Sequence, residues 1–299
     1  MKSIIIFGGS GYVGKNLIRS FSKKGYKIIV PYQKQINEAN LRLLGSLGQI
    51  VPFHFTSLKN PKLLLLLDSV DICINLKTSW DYNKEKLKNS IYKFNSDLIN
   101  MIKSSSSISK FIFFSGLGTE QKKVSARNEI IYKTENLITK NLANSIIIRP
   151  SVILGNDDQF LTNLIPIFKI SFFIPLFGDG SKRFQPVLVG DIVKLVSLII
   201  SDEKLNTGLF ELAGPDIFSY KEFYSLIAET MNKKRIFTPI PMSIIKPIIR
   251  IAEKTPFSTL NLEQLSLFET DNILNNNSDG FNYFKISPKN ILSAIQKAI

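Results

Sequence analysis

The chain has 299 residues, of which 44% are hydrophobic, enough to fill one large domain or two unequal ones and too apolar for a disordered chain. The formal charge of +14 calls for solvated lysine-rich faces or an anionic partner, and with no basic helix or aromatic RNA-binding motif that partner is not nucleic acid. The single Cys73 excludes an internal disulfide, one cysteine with the lone His54 excludes a zinc site, and no stretch approaches the ~20 apolar residues of a membrane span.

The first element organises the rest. Ser3–Phe7 is a short apolar strand, glycines follow at 8, 11 and 14, and an amphipathic run from Lys15 to Ser22 comes next. The apolar run is too short for a signal peptide, and glycines stand where a cleavage region would be. Strand, glycine turn and helix in this order form the phosphate-binding opening of a Rossmann unit. Gly8 permits the sharp turn, Gly11 lets backbone approach a pyrophosphate, and Gly14 lets the helix pack close to the strand. The helix N-terminus, with Ser10, Tyr12 and Val13 around it, offers N–H groups to the phosphates.

A second strand covers Lys27–Pro31. NAD-binding units place a carboxylate at its end for the ribose 2′-hydroxyl. Here the stretch reads Tyr32-Gln33-Lys34-Gln35, without a carboxylate and with a cation, so NADP(H) is favoured over NAD(H). Then come a helix over Glu38–Leu47, a strand over Gln49–Phe55, a helix over Pro61–Leu67 and a buried strand over Val70–Leu76 that holds Cys73. A long helix spans Lys84–Ser105, a fifth strand Lys110–Ser115, a helix Arg127–Leu142 and a sixth strand Ser145–Arg149, closed by Pro150. Alternation at this spacing specifies an α/β fold with a doubly wound parallel sheet. His54, set among Val51, Phe53 and Phe55, is structural in this reading.

Past residue 150 the pattern changes. Gly155–Gly180 carries two prolines and a cluster of exposed-type aromatics, Phe168, Phe172, Phe173 and Phe177. Helices over Asp191–Ser201, Ser219–Met231 (capped by Ser219), Pro241–Glu253 (broken by Pro247) and Ser287–Ile299 (capped), with a short strand over Gly208–Leu212, make a smaller, mostly helical C-terminal lobe. The division is therefore 1–150 for the dinucleotide-binding domain and 151–299 for a lobe of substrate or docking type, partly interleaved with the first.

Hydride chemistry on this scaffold uses a serine and a Tyr-x-x-x-Lys pair, because residues four apart share one helix face. Ser115 stands at the end of the fifth strand, and Lys133 is the candidate lysine of the next helix. Four residues before Lys133 is Glu129, and Tyr132 is its immediate neighbour, so neither register supplies the pair. Tyr82 and Lys86 have the right spacing but follow the fourth strand, the wrong one.

These residues resemble the extended and atypical short-chain dehydrogenases. Within them, the chain is similar to the nucleotide-binding accessory subunit of respiratory complex I and its bacterial relatives. The resemblance rests on Phe7-Gly8-Gly9-Ser10-Gly11-Tyr12-Val13-Gly14, on Val30-Pro31-Tyr32 with Leu44-Gly45-Ser46-Leu47-Gly48-Gln49, and on Arg149-Pro150-Ser151-Val152-Ile153-Leu154-Gly155. Gln185-Pro186-Val187-Leu188-Val189-Gly190-Asp191-Ile192 and Glu211-Leu212-Ala213-Gly214-Pro215 complete it. The resemblance implies tightly held NADPH, with the glycines on the pyrophosphate, Tyr32–Lys34 at the 2′-phosphate, Asn75 and Leu76 at the ribose, and Ser115 and Lys133 on the nicotinamide side. The chain departs from the family at Gln33, where arginine is common, and at Thr56, where an aspartate commonly ends the third strand. The expected role is a non-catalytic accessory or assembly subunit of complex I. It would be cytoplasmic or peripheral on the inner face of the energy-transducing membrane, with the complex I subunits and the anionic membrane surface as partners. The basic, apolar stretch from Lys233 to Arg250 fits such docking. The alternatives are an active reductase or nucleotide-sugar epimerase with Tyr132 or Glu129 as relocated acid, and a redox-sensing module.

Overall fold

A computed structural model describes residues 2–105, 107–120, 125–255, 260–275 and 278–299. The apolar runs become strands covered on both faces: β1 (Ser3–Phe7), β2 (Lys27–Tyr32), β3 (Ile50–His54), β4 (Ile72–Asn75), β5 (Lys110–Phe114) and β6 (Ser145–Pro150). Between them run α1 (Tyr12–Lys23), α2 (Glu38–Arg42), α3 (Pro61–Leu67), α4 (Lys84–Lys88), α5 (Phe94–Ser104) and α6 (Ala126–Asn141). Asparagine or serine side chains cap four of these starts: Asn37, Asn60, Asn83 and Ser125 each accept a backbone N–H of the first turn.

After β6 the chain forms β7 (Ile153–Leu154), α7 (Gln159–Ile170), β8 (Phe173–Phe177), β9 (Arg183–Phe184) and β10 (Val187–Leu188). Then follow α8 (Val189–Ser201), β11 (Gly208–Leu212), β12 (Phe218–Ser219), α9 (Tyr220–Thr230), β13 (Ile236–Ile240) and α10 (Met242–Ala252). The short helices α11 (Leu262–Leu265) and α12 (Gly280–Tyr283) precede the C-terminal α13 (Leu292–Ala298).

The main sheet has seven strands in the order β3-β2-β1-β4-β5-β6-β11, with every neighbouring pair parallel. Alternate residues of β1 serve opposite faces, as a period of two requires. Ile4 and Ile6 pack with Leu17 of α1 and Ile192 and Leu195 of α8, while Ile5 and Phe7 pack with Leu63 of α3, Leu98 of α5 and Ile131 of α6. Cys73 lies fully buried in the second of these layers. A third core, in the C-terminal lobe, joins Phe168, Ile174, Phe184, Phe223 and Ile295.

The structure corrects several element boundaries. The helix expected to run to Leu47 ends at Arg42, and the chain turns back through Gly48 at φ +76°. The long helix before β5 is interrupted by one wide turn, Asn89–Lys93, where the Asn95 amide donates to the Ile91 carbonyl. Helix α10 runs through Pro247 unbroken. The last helix starts at Leu292, five residues later than expected; Ile291 before it supplies no side-chain cap, and the Leu292 N–H donates to Asn290. Phe168 is not an exposed aromatic: α7, capped by Asp158, turns it into the lobe core, whereas Phe172 and Phe173 do reach the surface. The strand Gly208–Leu212 joins the main sheet beside β6.

Candidate functional site

The strand order reverses between β1 and β4, the crevice where ligands bind in open parallel sheets. Phe7 at the end of β1 is paired with Asn75 at the end of β4. Gly8 leaves β1 at φ +76°, and a Cβ there would lie 3.0 Å from the backbone of Leu76. Gly14 packs the first turn of α1 onto the glycine turn itself, where a Cβ would lie 2.5 Å from Gly9 backbone atoms. Gly11 is different. It precedes α1 in extended conformation at φ −76°, caps the helix with no side chain, and a Cβ there would meet only the Gly8 carbonyl, at 3.3 Å. The fold demands Gly8 and Gly14, while Gly11 is left small on the side that faces outward. Ser10 and Val13 stand partly exposed on either side of it. Tyr12 is folded back so that its buried hydroxyl, without a hydrogen-bond partner among the described residues, rests against Gly155.

At the β2 end, the Tyr32 hydroxyl donates to Glu38, and Arg42 pairs with the same carboxylate at 3.0 Å. The Tyr32 hydrogen bond, then Arg42, holds the Glu38 carboxyl below the usual range. A carboxylate therefore stands near the end of β2, supplied from six residues downstream of Tyr32. His54 packs its ring against Tyr32. On the opposite side of the crevice, Lys77 follows β4. Its ammonium lies 3.8 Å from the Phe94 ring centre and donates to Gln33, whose own amide reaches the Thr56 carbonyl. Burial, then the like charge of Lys34, lowers Lys77 to about 8.

The Asn75 side chain is consumed by the fold: its amide donates to Asn95 and its oxygen accepts the Lys77 backbone N–H. The Leu76 N–H is likewise bonded, to the Phe7 carbonyl. Ser115 leaves β5 with its hydroxyl 3.2 Å from Thr119, and the Pro150 carbonyl accepts the Leu117 N–H, which fixes this turn.

Helix α6 turns Arg127, Ile130, Ile131, Thr134, Glu135 and Ile138 inward. Lys133 is not on that face. It is exposed and bonded at 2.6 Å to Glu129, which Lys84 also reaches at 3.3 Å. Lys133 and then Lys84 keep the Glu129 carboxyl below its usual range. Tyr132 is half-buried beside it. The inward pairs at four-residue spacing are Arg127 and Ile131, Ile130 and Thr134, Ile131 and Glu135, and Thr134 and Ile138, and none is a tyrosine with a lysine. The Arg127 guanidinium donates to the Ser79 carbonyl and the Thr78 hydroxyl and stacks on Trp80 at 3.7 Å. Its backbone N–H donates to Glu263, and Asn261 donates to the Trp80 carbonyl, so the segment after β4, the start of α6 and α11 are clipped together. Burial lowers the guanidinium to about 10, against the pull of Glu263. Tyr82, exposed, and Lys86, on α4, lie outside this clip.

Arg149 anchors the far side. It grips Glu135 with two hydrogen bonds of 2.9 and 2.7 Å and reaches Glu120 and Glu211, tying β6 to α6 and β11. Sequence reasoning missed Lys77, Glu38, Arg127 and Trp80. Only Lys77 carried a local signal, its place directly after the Asn75-Leu76 pair.

A glycine turn at the switch point, a helix start without a side-chain cap and polar groups on both flanking strands define a dinucleotide-binding Rossmann protein, and the residues fit that cofactor. The chain belongs to the NAD-dependent epimerase/dehydratase family, whose profile matches residues 4–212. It is similar to the mitochondrial NADH dehydrogenase (ubiquinone) 1 alpha subcomplex subunit 9 of Arabidopsis thaliana, at 25% identity over 95% of this chain and 73% of that one. The protein of the same name in Mus musculus is 24% identical over 84% of this chain and 67% of its own length. Among solved structures, the MoeE5 protein in complex with UDP-glucuronic acid and NAD superposes with a TM-score of 0.76 at 11% identity, over 99% of this chain and 97% of that one. The dTDP-glucose 4,6-dehydratase of Bacillus anthracis, in complex with NAD, gives 0.74 at 14% identity, over 100% and 95%.

Proposed function

We propose that the protein holds NADP(H) as a ligand it does not turn over and serves as an accessory or assembly subunit of NADH:ubiquinone oxidoreductase. The observation that carries the first half is the inward face of α6. A proton-transferring Tyr-x-x-x-Lys pair must share one face, and the inward face, made of Arg127, Ile130, Ile131, Thr134, Glu135 and Ile138, holds neither a tyrosine nor a lysine. Arg127 is fixed by Trp80, Ser79 and Thr78 and cannot act as an acid at neutral pH. Glu129, held ionised by Lys133, is no proton donor either. Similarity to the subunit 9 proteins supports the second half.

In this reading the α1 N-terminus and Gly11 hold the pyrophosphate, Lys34 and Lys77 hold the 2′-phosphate, and Ser115 faces the nicotinamide. The bound group would supply hydride chemistry, which this chain has no proton relay to use. Residues 151–299 would form the docking lobe. On α10, Ile244, Ile248 and Ile251 stand 55%, 55% and 73% exposed beside Lys246 and Arg250, which suits an anionic membrane edge. No helix among the described residues is long and apolar enough to cross a membrane.

Native mass spectrometry of the protein as purified, with pull-down of co-purifying subunits, tests the reading. Retained NADP(H) together with oxidoreductase subunits is the expected result. Turnover of small carbonyl or nucleotide-sugar substrates that consumes the cofactor would overturn it.

A further inference from the structure

The glycine turn also borders a second cleft, of about 970 Å³, whose lining includes neither Asn75 nor Lys77. Lys15 and Arg19 enter it from one face of α1, Lys194 from α8, and Lys289 and Lys297 from the chain before and along α13. Its acids are Asp157 and Asp191, and Asp191 is buried and already accepts the Lys289 backbone N–H. None of the five cations has an ion pair among the described residues. Elsewhere on this surface, cations do find carboxylates: Lys2 pairs with Glu203, Arg183 with Asp271 and Lys246 with Glu269. Five like charges converging from α1, α8 and the C-terminal segment repel one another, and the two carboxylates of the lining offset only part of them. The volume is far larger than one small anion fills.

We propose that this cleft binds an anion carrying at least two phosphate groups, either a free phosphorylated metabolite or the headgroup of a two-phosphate lipid. It shares only the rim, Ser10–Tyr12, with the dinucleotide crevice. The cations lie outside that shared rim, so their loss is separable from loss of the dinucleotide.

The test uses the full chain saturated with NADPH. Inorganic pyrophosphate is titrated by calorimetry, and vesicles of phosphatidylcholine with or without cardiolipin are sedimented with the protein. The triple variant Lys194→Gln/Lys289→Gln/Lys297→Gln is compared with Lys59→Gln/Lys62→Gln/Lys88→Gln, which loses the same charge elsewhere. The cleft variant should weaken pyrophosphate or cardiolipin-vesicle binding at least about tenfold, with the control variant unchanged. Pyrophosphate binding without vesicle binding identifies a free ligand. Vesicle binding that pyrophosphate displaces identifies a headgroup. The proposal is overturned if neither probe binds, if the control variant loses as much, or if the cleft variant leaves binding intact. NADPH titration of the same variants reports the crevice separately.

Discussion

Two glycines three residues apart should separate folding from binding. In Gly14→Ala the new Cβ would lie 2.5 Å from the Cα and carbonyl oxygen of Gly9, backbone atoms of the turn that cannot rotate away. Overpacking of this kind costs up to about 3 kcal/mol, and the helical preference for alanine over glycine returns about 1, leaving a net loss of about 2 kcal/mol. In Gly11→Ser the added Cβ meets only one carbonyl oxygen, at 3.3 Å, and serine is at least as good a helix cap as glycine. Stability should change by less than about 0.5 kcal/mol. Dinucleotide affinity should nevertheless fall at least about tenfold, equivalent to about 1.4 kcal/mol, because the side chain stands where the pyrophosphate approaches the helix. Urea unfolding measures the first quantity. Energy transfer from Trp80, the single tryptophan, to the bound reduced nicotinamide measures the second. Wild-type NADPH affinity in Gly11→Ser, or equal stability losses in the two variants, would refute the reasoning.

Arg149→Met should destabilise by about 3–5 kcal/mol, because it leaves Glu135 and Glu211, 4% and 2% exposed, buried without their cation. Burial already raises Glu211, so this carboxylate, stranded, retains a proton in the fold that the unfolded chain releases. The deficit should therefore shrink from pH 7 toward pH 5; a pH-independent deficit in thermal unfolding would contradict this. Lys77→Met should stabilise the protein below pH 8. There the wild-type ammonium is charged in both states and bears its full desolvation cost. Between about 8 and 10.5 only the folded state sheds the proton, wild-type stability rises, and the advantage of methionine fades; a difference constant from pH 7 to 10 would refute it. The same loss of charge should weaken NADPH binding above pH 8. Tyr12→Phe removes a buried hydroxyl with no partner and should raise stability by about 1 kcal/mol in urea unfolding; a loss would show that the hydroxyl is satisfied.

What the sequence determined by itself is whatever short-range chemistry specifies. The apolar runs became β1 to β6, the glycine turn fell between β1 and α1, and α3 came out at Pro61–Leu67 as read. Ser219 caps α9 with Glu222 in a reciprocal box, a signal complete within four residues. Tertiary structure decided what depends on partners far along the chain. Phe168 looks like any aromatic in a proline-containing stretch until Arg235 binds its carbonyl and Tyr224 packs on its ring. Gly208–Leu212 is a short strand in isolation and becomes the seventh of the main sheet only through β6. The stretch after β2 reads as cationic, yet Glu38 returns to it through Tyr32. On α6 the residue types were legible but not the phase: which residues face inward is set by burial against the sheet and by the Arg149–Glu135 ion pair, and both depend on contacts the linear order does not contain.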